Sequence, residues 1–245
     1  MEQEEKKFTK RERYELKKQE QIKEKELASK IRKRKSLAVW LGVAGILLAS
    51  VAGLIYVVSN QEPSAGAKLA NEIVESDWSR GNLESDVVLL EYADFQCPAC
   101  AAYHPLLEQL YSEYGDRIRM VYRHFPIKQI HANAEPAGRA AEAAGRQGKF
   151  WEMHDMLYET QSSWANEKNA EDKFIQYAES LGLNIDQFKA DMNSDEAKEK
   201  VANDNIGGAR SGVQGTPTFF LNGEKITNPR NYDELKAVIE QALNQ

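Results

Sequence analysis

Both cysteines of the 245-residue chain stand three residues apart, in Cys97-Pro98-Ala99-Cys100. Two thiols at that spacing can close and reopen a disulfide, and a Cys-x-x-Cys placed where a strand gives way to a helix is a redox signature. Pro98 and Ala99 form the helix start: Pro98 suits the first helical position, where its missing N–H costs nothing and its fixed φ fits. With Cys97 as N-cap, its sulfur faces free backbone N–H groups and the positive end of the helix dipole. Its pKa is therefore expected below the free value of ~8.5. Cys100 lies one turn inward and keeps the higher value. Cys97 is then the attacking or leaving sulfur, and Cys100 resolves the mixed disulfide. A pair this close closes a tiny loop and adds little stability, so the fold must rest on its core and the pair is free to cycle.

Glu91 stands six residues before Cys97, among Leu89, Leu90 and Tyr92. A carboxylate there is costly to bury without a partner or a purpose. It reads either as a proton donor and acceptor for Cys100, or as a surface or Lys-paired residue on an alternating strand. Asp94 reads as a turn or cap residue. A zinc site is a poor fit. Cys97, Cys100 and His104 supply three ligands where a structural site needs four, and His124, His131 and His154 show no ligand spacing. No metal or cofactor is expected, and His104 reads as a partly exposed helix residue.

The elements that must position the dithiol follow from periodicity and breakers. A strand is predicted over 87–92, a helix over 97–114 kinked by Pro105, and a second strand over 118–124. A helical block follows at about 132–210, with segments at 133–145, 149–160, 171–181, 185–192 and 195–210. After a loop carrying Gly215-Thr216-Pro217, short strands at 218–221 and 225–226 flank Asn222-Gly223, a strong hairpin signal. An amphipathic helix over 232–243 closes the chain. X–Pro bonds are cis in only ~5–6% of cases, so local preference alone favours a trans Thr216–Pro217 bond.

Charge is unevenly spread. Residues 1–35 hold fourteen Lys/Arg against eight Glu, residues 36–58 hold none, and the rest carries −12 of the net −6. Residues 37–58, long enough to span ~33 Å as a helix, are expected to form one N-terminal transmembrane helix, with Trp40 and Tyr56 near its ends. The basic cluster Lys30, Arg32, Lys33, Arg34 and Lys35 precedes it. This places the 1–36 tail in the cytoplasm and the remainder outside a cell membrane, and it accounts for those charges without nucleic acid. Ala65-Gly66-Ala67 has the pattern of a cleavage site, but the long n-region and apolar run favour an uncleaved signal-anchor. Residues 59–85 read as a linker and N-terminal arm, with a short helix or arm at 70–78, and 86–245 as the folded α/β domain.

Taken together, Phe95-x-Cys97-Pro98-x-Cys100, Arg123-His124-Phe125-Pro126, His131-Ala132-Asn133-Ala134, the run from Gln147 to Asp155 and Gly215-Thr216-Pro217-Thr218-Phe219 resemble the DsbA-like thiol-disulfide oxidoreductases, closest to their membrane-anchored BdbD type. The resemblance covers about 87–243. It implies a thioredoxin fold with a helical insertion, catalysis by Cys97 and Cys100, a carboxylate at Glu91, and a cis Thr216–Pro217 bond whose Thr216 backbone pairs with a substrate peptide. It further implies reduced or unfolded exported proteins as substrates, and reoxidation by a quinone-linked membrane partner. Strongly oxidising members carry His where this chain has Ala99, which implies a weaker oxidant and leaves the net direction open. A reductase or isomerase is the alternative, and a non-catalytic chaperone or adaptor the lesser one.

Overall fold

A computed structural model describes Gly45, Ser50 and residues 67–245. The chain divides into two compact units, Met1–Gln61 and Glu62–Gln245; of the first, only Gly45 and Ser50, both helical, are described. Among the described residues no helix is long and apolar enough to cross a membrane. The expected tail at 1–36 and span at 37–58 lie otherwise outside them.

The second unit is a mixed five-stranded sheet with helices on its faces. Its strands are β1 (Trp78–Gly81), β2 (Val88–Ala93), β3 (Arg119–His124), β4 (Thr218–Leu221) and β5 (Glu224–Lys225), in the order β1-β3-β2-β4-β5. β2 pairs parallel with β3 and antiparallel with β4. A central strand covered on both faces needs a continuous apolar run, which 87–92 supplies apart from Glu91. Helix α1 (Pro98–Tyr114) carries β2 across to β3. Its buried residues, Cys100, His104, Leu107, Leu110 and Tyr114, recur at helical spacing. Leu107, Leu110 and Tyr114 join Leu89, Met120, Phe219 and two residues of the last helix, α8 (Tyr232–Leu243), in one face of the core, while Cys100 packs into the cluster built with the insertion. Asn222 and Gly223, with φ of 50° and 82°, make the β4–β5 turn, and the Asn222 side chain accepts the Val88 N–H at 2.8 Å.

The insertion between β3 and β4 comprises α2 (Ala134–Gly145), α3 (Phe150–Glu159), α4 (Gln161–Trp164), α5 (Glu171–Ser180), α6 (Ile185–Met192) and α7 (Asp195–Arg210). Alanines at 137, 140, 141 and 144 are fully buried and let α2 pack closely at its centre. Asn184 and Ser194 cap α6 and α7, accepting N–H bonds at 3.0 and 3.2 Å. The predicted segments match these helices to within a residue or so, and α4 falls between two of them, inside the predicted helical block.

The segment at 70–78, expected as a short helix or arm, contains no helix. Lys68 bridges to Glu224 at one edge of the sheet, and the chain then crosses to the other edge, where β1 pairs antiparallel with β3. Arg123 fastens the crossing: its guanidinium donates to both Asp77 oxygens (2.9 and 2.6 Å) and to the Glu72 carbonyl (2.7 Å). Gly81 closes β1 with φ +89°, where a Cβ would meet the Ile118 carbonyl oxygen at 2.4 Å.

Candidate active site

β2 ends at a loop held by Asp94, which is buried. Its carboxylate accepts the N–H groups of Gln96 (2.7 Å) and Ile127 (2.9 Å) and lies 2.7 Å from His131 Nδ1, a turn-fixing role as the sequence predicts. Cys97 then caps α1 with extended φ/ψ and no side-chain cap bond, and Pro98 opens the helix. The two cysteines are free thiols. Cys97 is 7% exposed and Cys100 1%, while Pro98 and Ala99 stand exposed beside Cys97. Its thiol donates to the Thr216 carbonyl at 3.4 Å.

The two sulfurs differ sharply in acidity. A hydrogen bond from the Cys100 thiol, against the opposing effect of burial, pulls Cys97 down to about 5; the Thr216 side chain and the backbone N–H groups of Cys100 and Ala99 assist. The helix-start contribution is thus present, but the partner thiol outweighs it. Thr216 Oγ1 is buried without another partner, which leaves it free to donate to a Cys97 thiolate. Burial pushes Cys100 well above its usual range, and the hydrogen bond to Cys97 and the Glu91 charge push the same way.

Glu91 is buried, opposite Tyr122 of β3 and Phe219 of β4. Burial raises it to about 8; Arg80 draws it down and Cys97 pushes it up. The surface and Lys-paired readings of Glu91 are therefore overturned: the strand is covered on both faces, and the facing cation is an arginine. The Thr216–Pro217 bond is cis, as the resemblance implies and against local preference. Cys97, Cys100, Glu91, Thr216 and Pro217, with Pro98 and Ala99 at the helix start, are brought together.

His104, expected to be partly exposed, is 5% exposed. Helix α3 lies over α1 there, and His154 and Tyr158 pack their rings 5.5 and 5.4 Å from the His104 ring. His104, Glu108 and Asp155 bring ligand atoms within 4.8 Å of one another, with His104 one turn after Cys100 on the buried face of α1. Glu108 is already paired with Arg80, and Asp155 lies 2.8 Å from His154 Nδ1, so both carboxylates belong to the network around Arg80. Sequence reasoning missed Arg80, and also Gln161, whose Nε2 donates to the carbonyls of Phe95 (2.7 Å) and Cys97 (3.0 Å). A lone Gln between two predicted helices gives no signal of either contact.

A family model described as thioredoxin matches residues 74–241. The chain belongs to the thioredoxin family. Among solved structures of this family's fold, BdbD from Bacillus subtilis, in its oxidised form, superposes with TM-score 0.65 at 20% identity over 76% of this chain and 100% of that one. A thioredoxin-like oxidoreductase from Silicibacter pomeroyi gives 0.60 at 25% identity, over 70% and 95%. The fold is thus that of the DsbA- and BdbD-type members. A Na(+)/H(+) antiporter, NhaA 3, of Salinispora tropica is 39% identical over 169 residues, which is 69% of this chain and 25% of the antiporter. The chain spans about a quarter of the length of that relative.

Proposed function

We propose that this thioredoxin-family protein is a membrane-anchored, extracytoplasmic thiol-disulfide oxidoreductase that forms disulfides in exported proteins. One observation carries the reading: Cys97 caps α1 with its thiol 3.4 Å from the carbonyl of Thr216 at the cis Thr216–Pro217 bond, and Cys100 lies buried one turn further in. In the oxidised enzyme a substrate thiolate attacks Cys97 Sγ. The Cys97–Cys100 bond breaks, and the buried Cys100 sulfur takes a proton, which Glu91 supplies because at about 8 it is mostly protonated at neutral pH. The substrate's second thiolate attacks its own sulfur in the mixed disulfide, forming the substrate disulfide and expelling Cys97 as a thiolate.

A low leaving-group pKa speeds that departure, and a stabilised reduced form makes an oxidant. The Cys97 value lies between ~7 for thioredoxin and ~3.5 for DsbA. This supports an oxidant of intermediate strength, in keeping with Ala99 in place of His. Exposed Pro98 and Ala99 beside the Thr216–Pro217 loop offer an approach for an extended peptide, whose backbone would pair at Thr216. The uncharged run 37–58 and its flanking basic cluster support the anchor and its direction, and likeness to part of a protein named as an ion antiporter suits a domain that works at a membrane. Reoxidation falls to a quinone-linked membrane protein.

The test is oxidation of a reduced, unfolded protein by the full chain in detergent. Wild type should form the disulfides catalytically and Cys97→Ser should not; activity that survives Cys97→Ser leaves a binding protein with a static cysteine pair.

A further inference from the structure

Arg80 lies in β1 with its side chain on the face of the sheet that carries Glu91. Its guanidinium sits 4.4 Å from the ring centroids of both Tyr111 of α1 and Trp151 of α3. One end pairs with Glu108. Its Nε, by contrast, is buried with no partner, as is the Tyr122 hydroxyl. A small, partly open cavity of about 20 Å³ is lined by Arg80, Glu91, Tyr122, Trp151 and His154 among apolar side chains. That volume admits one water, and a buried water needs two to four polar partners. Among the described residues nothing hydrogen-bonds the Glu91 carboxyl, although the residue is buried. The cavity thus joins a donor without an acceptor to an acceptor without a donor.

We infer that Arg80 is a positioning residue for Glu91: through a water held in this cavity, its guanidinium orients the carboxyl and its charge governs how readily that carboxyl parts with its proton. The inference rests on the reading of Glu91 as the proton carrier for Cys100. Other groups near Glu91 are uncharged at neutral pH. From α3, His154 is driven by burial to about 4, and Tyr158 stays protonated, as does Tyr122 of β3. From α1, His104 is lowered by burial, and Tyr103 and Cys100 are raised. The full charges acting on Glu91 are therefore Arg80 and the Cys97 thiolate, of opposite sign. Glu108 and Asp155 face Arg80 and temper its field. The guanidinium sits at the edge of the sheet, so this control reaches Glu91 without crossing the Thr216–Pro217 loop.

The step that reports it is resolution of a mixed disulfide. Glu91 carboxylate takes the Cys100 thiol proton while the Cys100 sulfur attacks Cys97. The Cys97–Cys100 bond forms, the bond from Cys97 to the substrate sulfur breaks, and the substrate leaves as a reduced thiolate.

The experiment follows that rate against pH in the full chain loaded with a small aromatic thiol on Cys97. In wild type the rate should rise with a midpoint of about 8. Arg80→Met should move the midpoint up by about one unit, Arg80→Lys should restore it, and Arg80→Met added to Glu91→Gln should move nothing further. Glu108→Gln, a change at a half-exposed side chain that leaves Arg80's charge less neutralised, should move the midpoint down and carries the test if Arg80→Met does not fold. A midpoint unmoved by both Arg80→Met and Glu108→Gln overturns the role of Arg80, as does an equal shift in the Glu91→Gln background. If Glu91→Gln alone leaves the wild-type profile intact, the proton-carrier reading fails, and the inference with it.

Discussion

Gln161 holds Cys97 by its backbone: one amide nitrogen in the four-residue helix α4 reaches the Cys97 carbonyl at 3.0 Å and the Phe95 carbonyl at 2.7 Å. The helical insertion therefore grips the first turn of α1 directly, on either side of Gln96. Gln96 in turn donates to the Ala165 carbonyl at 2.6 Å and accepts the Asn133 N–H at 2.7 Å. The dithiol is framed by the insertion as much as by the sheet.

Gln161→Leu removes a donor from two part-buried carbonyls. An unsatisfied buried acceptor costs ~1–3 kcal/mol, so unfolding by urea should show a lower midpoint with an unchanged slope. A midpoint equal to wild type would show that water replaces the amide at no cost.

Cys100→Ala removes the largest influence lowering Cys97. The pH midpoint of Cys97 alkylation should rise from about 5 by about one unit or more. An unmoved midpoint would assign the acidity of Cys97 to the helix start alone.

Acidity of Cys97 also links redox state to stability. Its folded pKa is depressed from 9.0 to about 5, so the reduced protein gains stability that is fully present above the unfolded value and lost as pH falls through the folded one. The advantage of the reduced over the oxidised form should shrink between pH 9.0 and about 5. Denaturant titrations of both forms across that window check it, and an advantage that grows as pH falls contradicts it.

Glu91 works in the opposite sense. Its folded pKa is raised from 4.5 to about 8, so it takes stability away as pH climbs through that range. Glu91→Met should stabilise the fold at pH 7 by roughly 3 kcal/mol, with a gain that fades below the unfolded value, while slowing resolution by Cys100. Loss of stability on this change would show that the contacts of the carboxyl outweigh the cost of burying it.

Much of this site is legible in the sequence. Pro98 after Cys97 marked the helix start and the reactive sulfur, Asn222-Gly223 marked the hairpin, and periodicity delimited the insertion. What stayed hidden depends on partners remote in sequence. β1 is four residues long and pairs only with β3, about forty residues on. Arg80 in isolation reads as a surface charge, because nothing local reveals the two rings that enclose it. His104 was expected to be partly exposed because the helix that covers it arrives some fifty residues later. The cis Thr216–Pro217 bond ran against local preference, and only the resemblance pointed to it.

The most direct test is the reduction potential of the Cys97–Cys100 pair in the full chain, equilibrated against glutathione. A disulfide-forming enzyme with a stabilised Cys97 thiolate should fall between ~−180 and ~−120 mV. A value at or below ~−270 mV, where thioredoxin lies, would contradict it and assign the protein to disulfide reduction.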